Sequence, residues 1–79
     1  MWIRSQNKKI LSKVNEVLIC TMDDNKYFIE GFWDRGSDTL GIYSSQEKAF
    51  AVLDEIENQL NEFDLEGTVV YQMPQDDEV

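Results

Sequence analysis

Residues 44–63 read SSQEKAFAVLDEIENQLNEF, and this stretch decides the fold. Ala49, Val52, Leu53, Ile56, Leu60 and Phe63 recur in steps of three and four, which lays them along one stripe of a helix of period 3.6. Glu47, Asp54, Glu55, Glu57, Asn58 and Glu62 occupy the remaining surface, so one face is apolar and the other acidic. Ser44 with Glu47 three residues later predicts a capping box, each side chain accepting from the other residue's free backbone N–H. The spacing predicts a helix over 45–63, about 28 Å long at 1.5 Å per residue, enough to cover one face of a small sheet.

The flanking segments read as strands. Trp2-Ile3-Arg4-Ser5 alternates apolar and polar, Gln6 to Lys9 is a polar turn, and Ile10 to Val14 is extended again. Val17 to Met22 (VLICTM) and Tyr27 to Trp33 (YFIEGFW) enclose Asp23-Asp24-Asn25-Lys26, a dense turn signal, and predict a hairpin. Alternation places Tyr27, Ile29, Gly31 and Trp33 on one face and Phe28, Glu30 and Phe32 on the other. Gly31 marks a bulge or a close approach of another chain. Asp34 to Asp38 is a turn and Thr39 to Tyr43 a strand. Beyond the helix, Gly67 suits a left-handed C-terminal residue, Thr68 to Met73 is a last strand, and Pro74 ends it. The expectation is a single α+β domain over residues 1–73: an antiparallel β-meander, one long amphipathic helix packed on one face, and a final C-terminal strand. Residues 74–79 are expected as an acidic disordered tail.

Seventy-nine residues suffice for one small core. One cysteine, Cys20, permits no internal disulfide, and no run of about 20 apolar residues or signal-peptide core is present. A soluble protein of the cytoplasm (the host cytoplasm, if phage-encoded) with no membrane partner is expected. Sixteen acids against seven bases give a net charge of −9, unevenly spread. Residues 1–13 hold Arg4, Lys8, Lys9 and Lys13 and no acid, +4; residues 14–79 hold three bases and all sixteen acids, −13. Such a surface repels nucleic acid, so no direct nucleic-acid partner is expected.

The residues needed for catalysis are sparse. The chain has no histidine, which removes imidazole-based nucleophile and metal systems. Cys20 lies in an apolar run and reads as an inert packing residue. Asp23-Asp24-Asn25 lacks the ligand order of a calcium loop, and the four glycines are too scattered for a phosphate loop. The expectation is no enzyme activity, no metal and no cofactor.

The start MWIRSQ (1–6), the junction LGIYSSQEKAFAVLDEI (40–56) and the end VYQMPQ (70–75) resemble short phage and mobile-element proteins of Gram-positive bacteria. These motifs are structural, and no catalytic residue carries over from them. The resemblance implies a context: a small accessory protein acting on a bacterial host, of anti-defence type.

Two functions fit these features. In the first, the protein sequesters a small anionic, nucleotide-type signal molecule in a pocket at a subunit interface, and is a homo-oligomer. Trp2, Trp33 and Tyr43 would stack on a base, and Arg4, Lys8, Lys9 and Arg35 would meet phosphates. In the second, the protein is an acidic protein-binding inhibitor or DNA mimic, of anti-CRISPR or anti-restriction type. There Asp54, Glu55, Glu57 and Glu62 would occupy a basic groove of a host protein. The aromatic and cationic set, with a sheet face left bare by a single helix, favours the first.

Overall fold

The computed structural model describes residues 1–22, 25–62 and 70–79, with backbone only for Met22, Asn61 and Glu62. The expected Asp23-Asp24 turn, Phe63 at the stripe's end and the Gly67 terminus lie outside the described residues.

The strands are β1 (Trp2–Arg4), β2 (Leu11–Lys13), β3 (Glu16–Met22), β4 (Lys26–Trp33), β5 (Gly36–Tyr43) and β6 (Val70–Gln72), with helix α1 (Gln46–Glu62) between β5 and β6. The class is α+β, as the periodicities predict. The strands form two sheets of three, β2-β1-β6 and β3-β4-β5. The second is the antiparallel meander. In the first, β6 runs parallel to β1, with Ile3 opposite Tyr71, a pairing absent from the sequence reading. The two sheets are stitched where Gln6 N–H donates to Leu40 C=O (2.7 Å) and Asn15 N–H to Phe32 C=O (2.8 Å). The Gln6 side chain then imitates a strand residue. Its Nε2 donates to Ile42 C=O and its Oε1 accepts from Ile42 N–H, so this part of the β5 edge is capped.

One core lies between the sheets and the helix: Ile3, Val14, Ile29, Leu40, Tyr43, Ala49, Val52, Ile56, Tyr71 and Met73. The helix supplies the expected stripe as far as Ile56. Leu53 is only half-buried and Leu60 is 46% exposed, so the stripe loosens toward the C-terminal turns. The start also differs by one residue. Ser45, not Ser44, caps the helix, its Oγ accepting Lys48 N–H (3.2 Å), and with Lys48 in that position the reciprocal glutamate contact of a capping box does not form.

Gly31 is buried, and its role is close approach within this chain. A Cβ there would sit 2.7 Å from both Leu40 and Val14. The irregularity lies across from it. Ile29 pairs with Gly41 and Glu30 with Thr39, which leaves Leu40 as an extra residue bulged into the core. Residues 74–79, expected as a disordered tail, instead contain a 3-10 turn (Asp76–Glu78) docked at the start of α1. Asp76 Oδ1 accepts Ser44 N–H (2.8 Å), and Lys48 Nζ donates to Asp76 C=O (2.7 Å). With the Lys48–Asp76 ion pair (3.6 Å), three polar contacts hold the acidic segment there.

Candidate functional site

Register sorts the candidate residues onto surfaces. In β1 and β2, Ile3 and Ser12 are opposite one another and buried, so their neighbours Trp2, Arg4, Leu11 and Lys13 face outward. Trp2 is directly opposite Lys13 and shares its face with Arg4, two residues on. Trp2 is half-buried; Leu11 and Val70 beside this row are 56% and 52% exposed. The outer face of the β2-β1-β6 sheet is therefore an aromatic platform with two cations on it.

The β1–β2 turn brings two more. Ser5 N–H donates to Ile10 C=O and Lys8 N–H to Ser5 C=O, closing a tight loop in which Lys8 has φ 66°. A lysine in the left-handed region is held there against its preference, here by this network and by Asn7 Oδ1 accepting Lys9 N–H. Arg4 Nε donates to Lys8 C=O (3.1 Å), so the guanidinium is tied to the loop carrying Lys8 and Lys9. All three cations lie at one end of the face, and Lys8 and Lys9 are exposed.

Lys13 continues the surface to the other tryptophan. It lines a hollow of about 370 Å³ together with Asn15, Trp33, Asp34 and Arg35. Trp33 is 37% exposed, and its Nε1 donates to Asp38 Oδ2 (3.0 Å), the oxygen that also accepts from Ser12 Oγ (2.9 Å). The indole edge is thus fixed while part of the ring stays open. Asp34, the acid in this hollow, accepts from Asn15 Nδ2 (2.8 Å). Lys13 is thus common to the Trp2 and Arg4 face and to the Trp33–Arg35 hollow.

Tyr43 belongs to neither. The ring is 1% exposed, its hydroxyl donates to Pro74 C=O (2.8 Å), and burial raises its pKa, so it stays protonated. The cause is the bulge at Leu40, which reverses the alternation along β5 and turns Tyr43 inward and Ile42 out. Sequence reasoning also passed over Lys13. The polarity of Leu11-Ser12-Lys13 was visible, but its position opposite Trp2 depends on a register that the loop sets.

Of the helix acids, Asp54, Glu55 and Glu57 are exposed, and the Glu62 side chain lies outside the described residues. Glu55 Oε1 accepts from the Tyr71 hydroxyl (2.9 Å), whose pKa is raised by burial and then by this carboxylate. Glu57 borders a second hollow, about 570 Å³, between α1 and β3, walled mainly by Val14, Val17, Leu53, Ile56 and Leu60. Glu16 and Met1 also line it, and most of its wall is apolar.

No helix among the described residues is long and apolar enough to cross a membrane. No protein-family model matches this chain, and no curated protein or solved structure is significantly similar to it.

Proposed function

We propose that this chain is a non-enzymatic accessory binding protein that holds a small anionic ligand with a planar ring, of nucleotide type, on the surface running from Trp2 to Trp33. The observation that carries the reading is the position of Lys13, opposite Trp2 in register and lining the Trp33–Arg35 hollow. A base stacked on an indole places its phosphates within reach of a neighbouring cation, and stacking is worth about 1–3 kcal/mol per base. Arg4, with Lys8 and Lys9 beyond it, extends the phosphate-binding side. In the phage setting that the sequence resembles, sequestering a nucleotide signal of host defence is the role that suits such a protein.

Titration with AMP, ATP and a cyclic dinucleotide, followed by tryptophan fluorescence, tests this. At least one should quench the emission saturably. Lys13→Ala and Arg4→Ala should each weaken binding about ten- to a hundredfold, the worth of a charge-assisted hydrogen bond at roughly 1.5–3 kcal/mol. Unchanged affinity in both variants would refute the placement.

One observation favours the acidic-inhibitor reading as the second. The docked 3-10 turn sets Asp77 and Glu78, both exposed, beside the start of the helix that carries Asp54, Glu55 and Glu57. A basic host protein could be met by that side of the molecule.

A further inference from the structure

We propose that two copies of this chain associate face to face through the outer surface of the β3-β4-β5 sheet, about a two-fold axis running across the strands along the row Cys20–Phe28–Ile42. That row is read directly from the register, Cys20 opposite Phe28 and Phe28 opposite Ile42. The helix occupies the other face, where Val17, Ile19 and Tyr27 pack against the core. On the outer face Leu18, Cys20, Phe28 and Phe32 are half-buried and Ile42 is 42% exposed. Five apolar side chains thus share a surface outside the core cluster, a pattern that marks association sites.

Glu16, opposite Phe32, lies at the far end of this face, and the two charges that flank Phe28 select the occupant and its orientation. Lys26 and Glu30 stand two residues to either side of Phe28 on β4, and alternation puts all three on one face. Lys26 is exposed; Glu30 is half-buried and accepts a hydrogen bond from Thr39 Oγ1. A two-fold axis along the Cys20–Phe28–Ile42 row lays each of these residues over its own copy. It sets Lys26 against Glu30 of the second copy, and the same pair recurs by symmetry. An axis parallel to the strands would instead oppose Lys26 to Lys26 and Glu30 to Glu30. The pattern is self-complementary only when the two sheets stack antiparallel, which is an isologous contact. Phe28 then sits at the centre, where an aromatic contributes most.

The size of the face sets the strength. Three strands about 4.8 Å apart and roughly 20 Å long, stacked about 10 Å from their copy, bury on the order of 1,000 Å² in total, the lower limit of specific interfaces. The dimer is therefore weak, with a dissociation constant in the micromolar range. The Trp2 platform lies on the other sheet, whereas Trp33 ends β4 of this one, and the association does not require a bound ligand.

Sedimentation velocity of the full chain, from about 1 to 100 micromolar, should show a concentration-dependent dimer. Cys20 is the only cysteine, so a short bis-maleimide should join two copies through it without any substitution. K26E and E30K, each checked for unchanged circular dichroism, should weaken the dimer at least tenfold when alone. Mixed in equal amounts they should restore it, because each then presents the charges that the other lacks. The double variant K26E/E30K should dimerise like the wild type. A monomer throughout the range, as for a face reserved for another partner, overturns the proposal. So does a dimer that resists Cys20 cross-linking, or one indifferent to both charge reversals.

Discussion

Asp76 belongs by composition to a run of acids at the chain's end, yet its contacts tie that end to the helix start. Its carboxylate accepts Ser44 N–H and lies 3.6 Å from Lys48 Nζ. The hydrogen bond from Ser44 N–H above all holds its pKa below the ordinary 3.8; desolvation opposes it, and the Ser44 side chain and then the Lys48 charge add smaller lowering effects. A depressed carboxylate stabilises the fold above its unfolded pKa, and that contribution is lost as pH falls through the folded value. Asp76→Asn retains an acceptor but no charge. Its melting temperature should lie below wild type at pH 6–7, and the gap should close as the pH drops below 3.8. Thermal melts across that range check this; a constant gap would mean that the charge contributes nothing. Glu55 shows the same principle on the helix, since one of its oxygens holds the buried Tyr71 hydroxyl. Neither acid is only a solubilising charge.

At the scale of elements, the helix was legible because its period is written every three or four residues, and its worth depends on depth. Ile56 is 3% exposed and Leu60 46%, although the pattern treats them alike. Ile56→Ala should cost about 2–5 kcal/mol, the range for core truncation, and Leu60→Ala under about 1 kcal/mol. Denaturant melts giving equal losses would show that the stripe is buried evenly. Strands were legible as strands, but their partners were not. Val70-Tyr71-Gln72 has the same alternation whether it runs parallel or antiparallel to Trp2-Ile3-Arg4, so nothing local reveals the parallel pairing. The bulge had a similar consequence for the candidate site. Leu40-Gly41-Ile42 reads as regular alternation, and the single extra residue at Leu40 exchanges the faces of Ile42 and Tyr43. Trp2 and Arg4 could be placed together from spacing within one strand. Lys13 required the neighbouring strand's register, which the turn from Ser5 to Ile10 fixes through hydrogen bonds that no periodicity encodes.

Across the whole molecule, the two sheets divide the chemistry, and the charge asymmetry decides how a ligand senses it. The cations of residues 1–13 are gathered at the outer face and turn of the β2-β1-β6 sheet, while Asp54 and Glu57 are exposed on the helix, which packs against the β3-β4-β5 sheet. An anion approaching Trp2 is attracted locally and repelled by the net charge of −9 over longer distances. Repulsion between exposed charges is screened beyond a Debye length of about 8 Å at physiological salt. Asp54→Asn with Glu57→Gln removes two negative charges, from −9 to −7, and leaves Glu55 to hold Tyr71. If the Trp2 surface binds the nucleotide, this variant should bind it as tightly as wild type or up to a few times more tightly at low salt. The difference should vanish near 0.5 M salt, where screening is nearly complete. If the acids instead carry the function by docking on a basic host protein, the same variant should lose that partner, and its nucleotide affinity should be irrelevant to activity. Measuring nucleotide binding and host-directed activity on the one variant therefore separates the readings. Retained activity with retained nucleotide binding supports the Trp2 surface, and activity lost while nucleotide binding survives assigns the function to the helix.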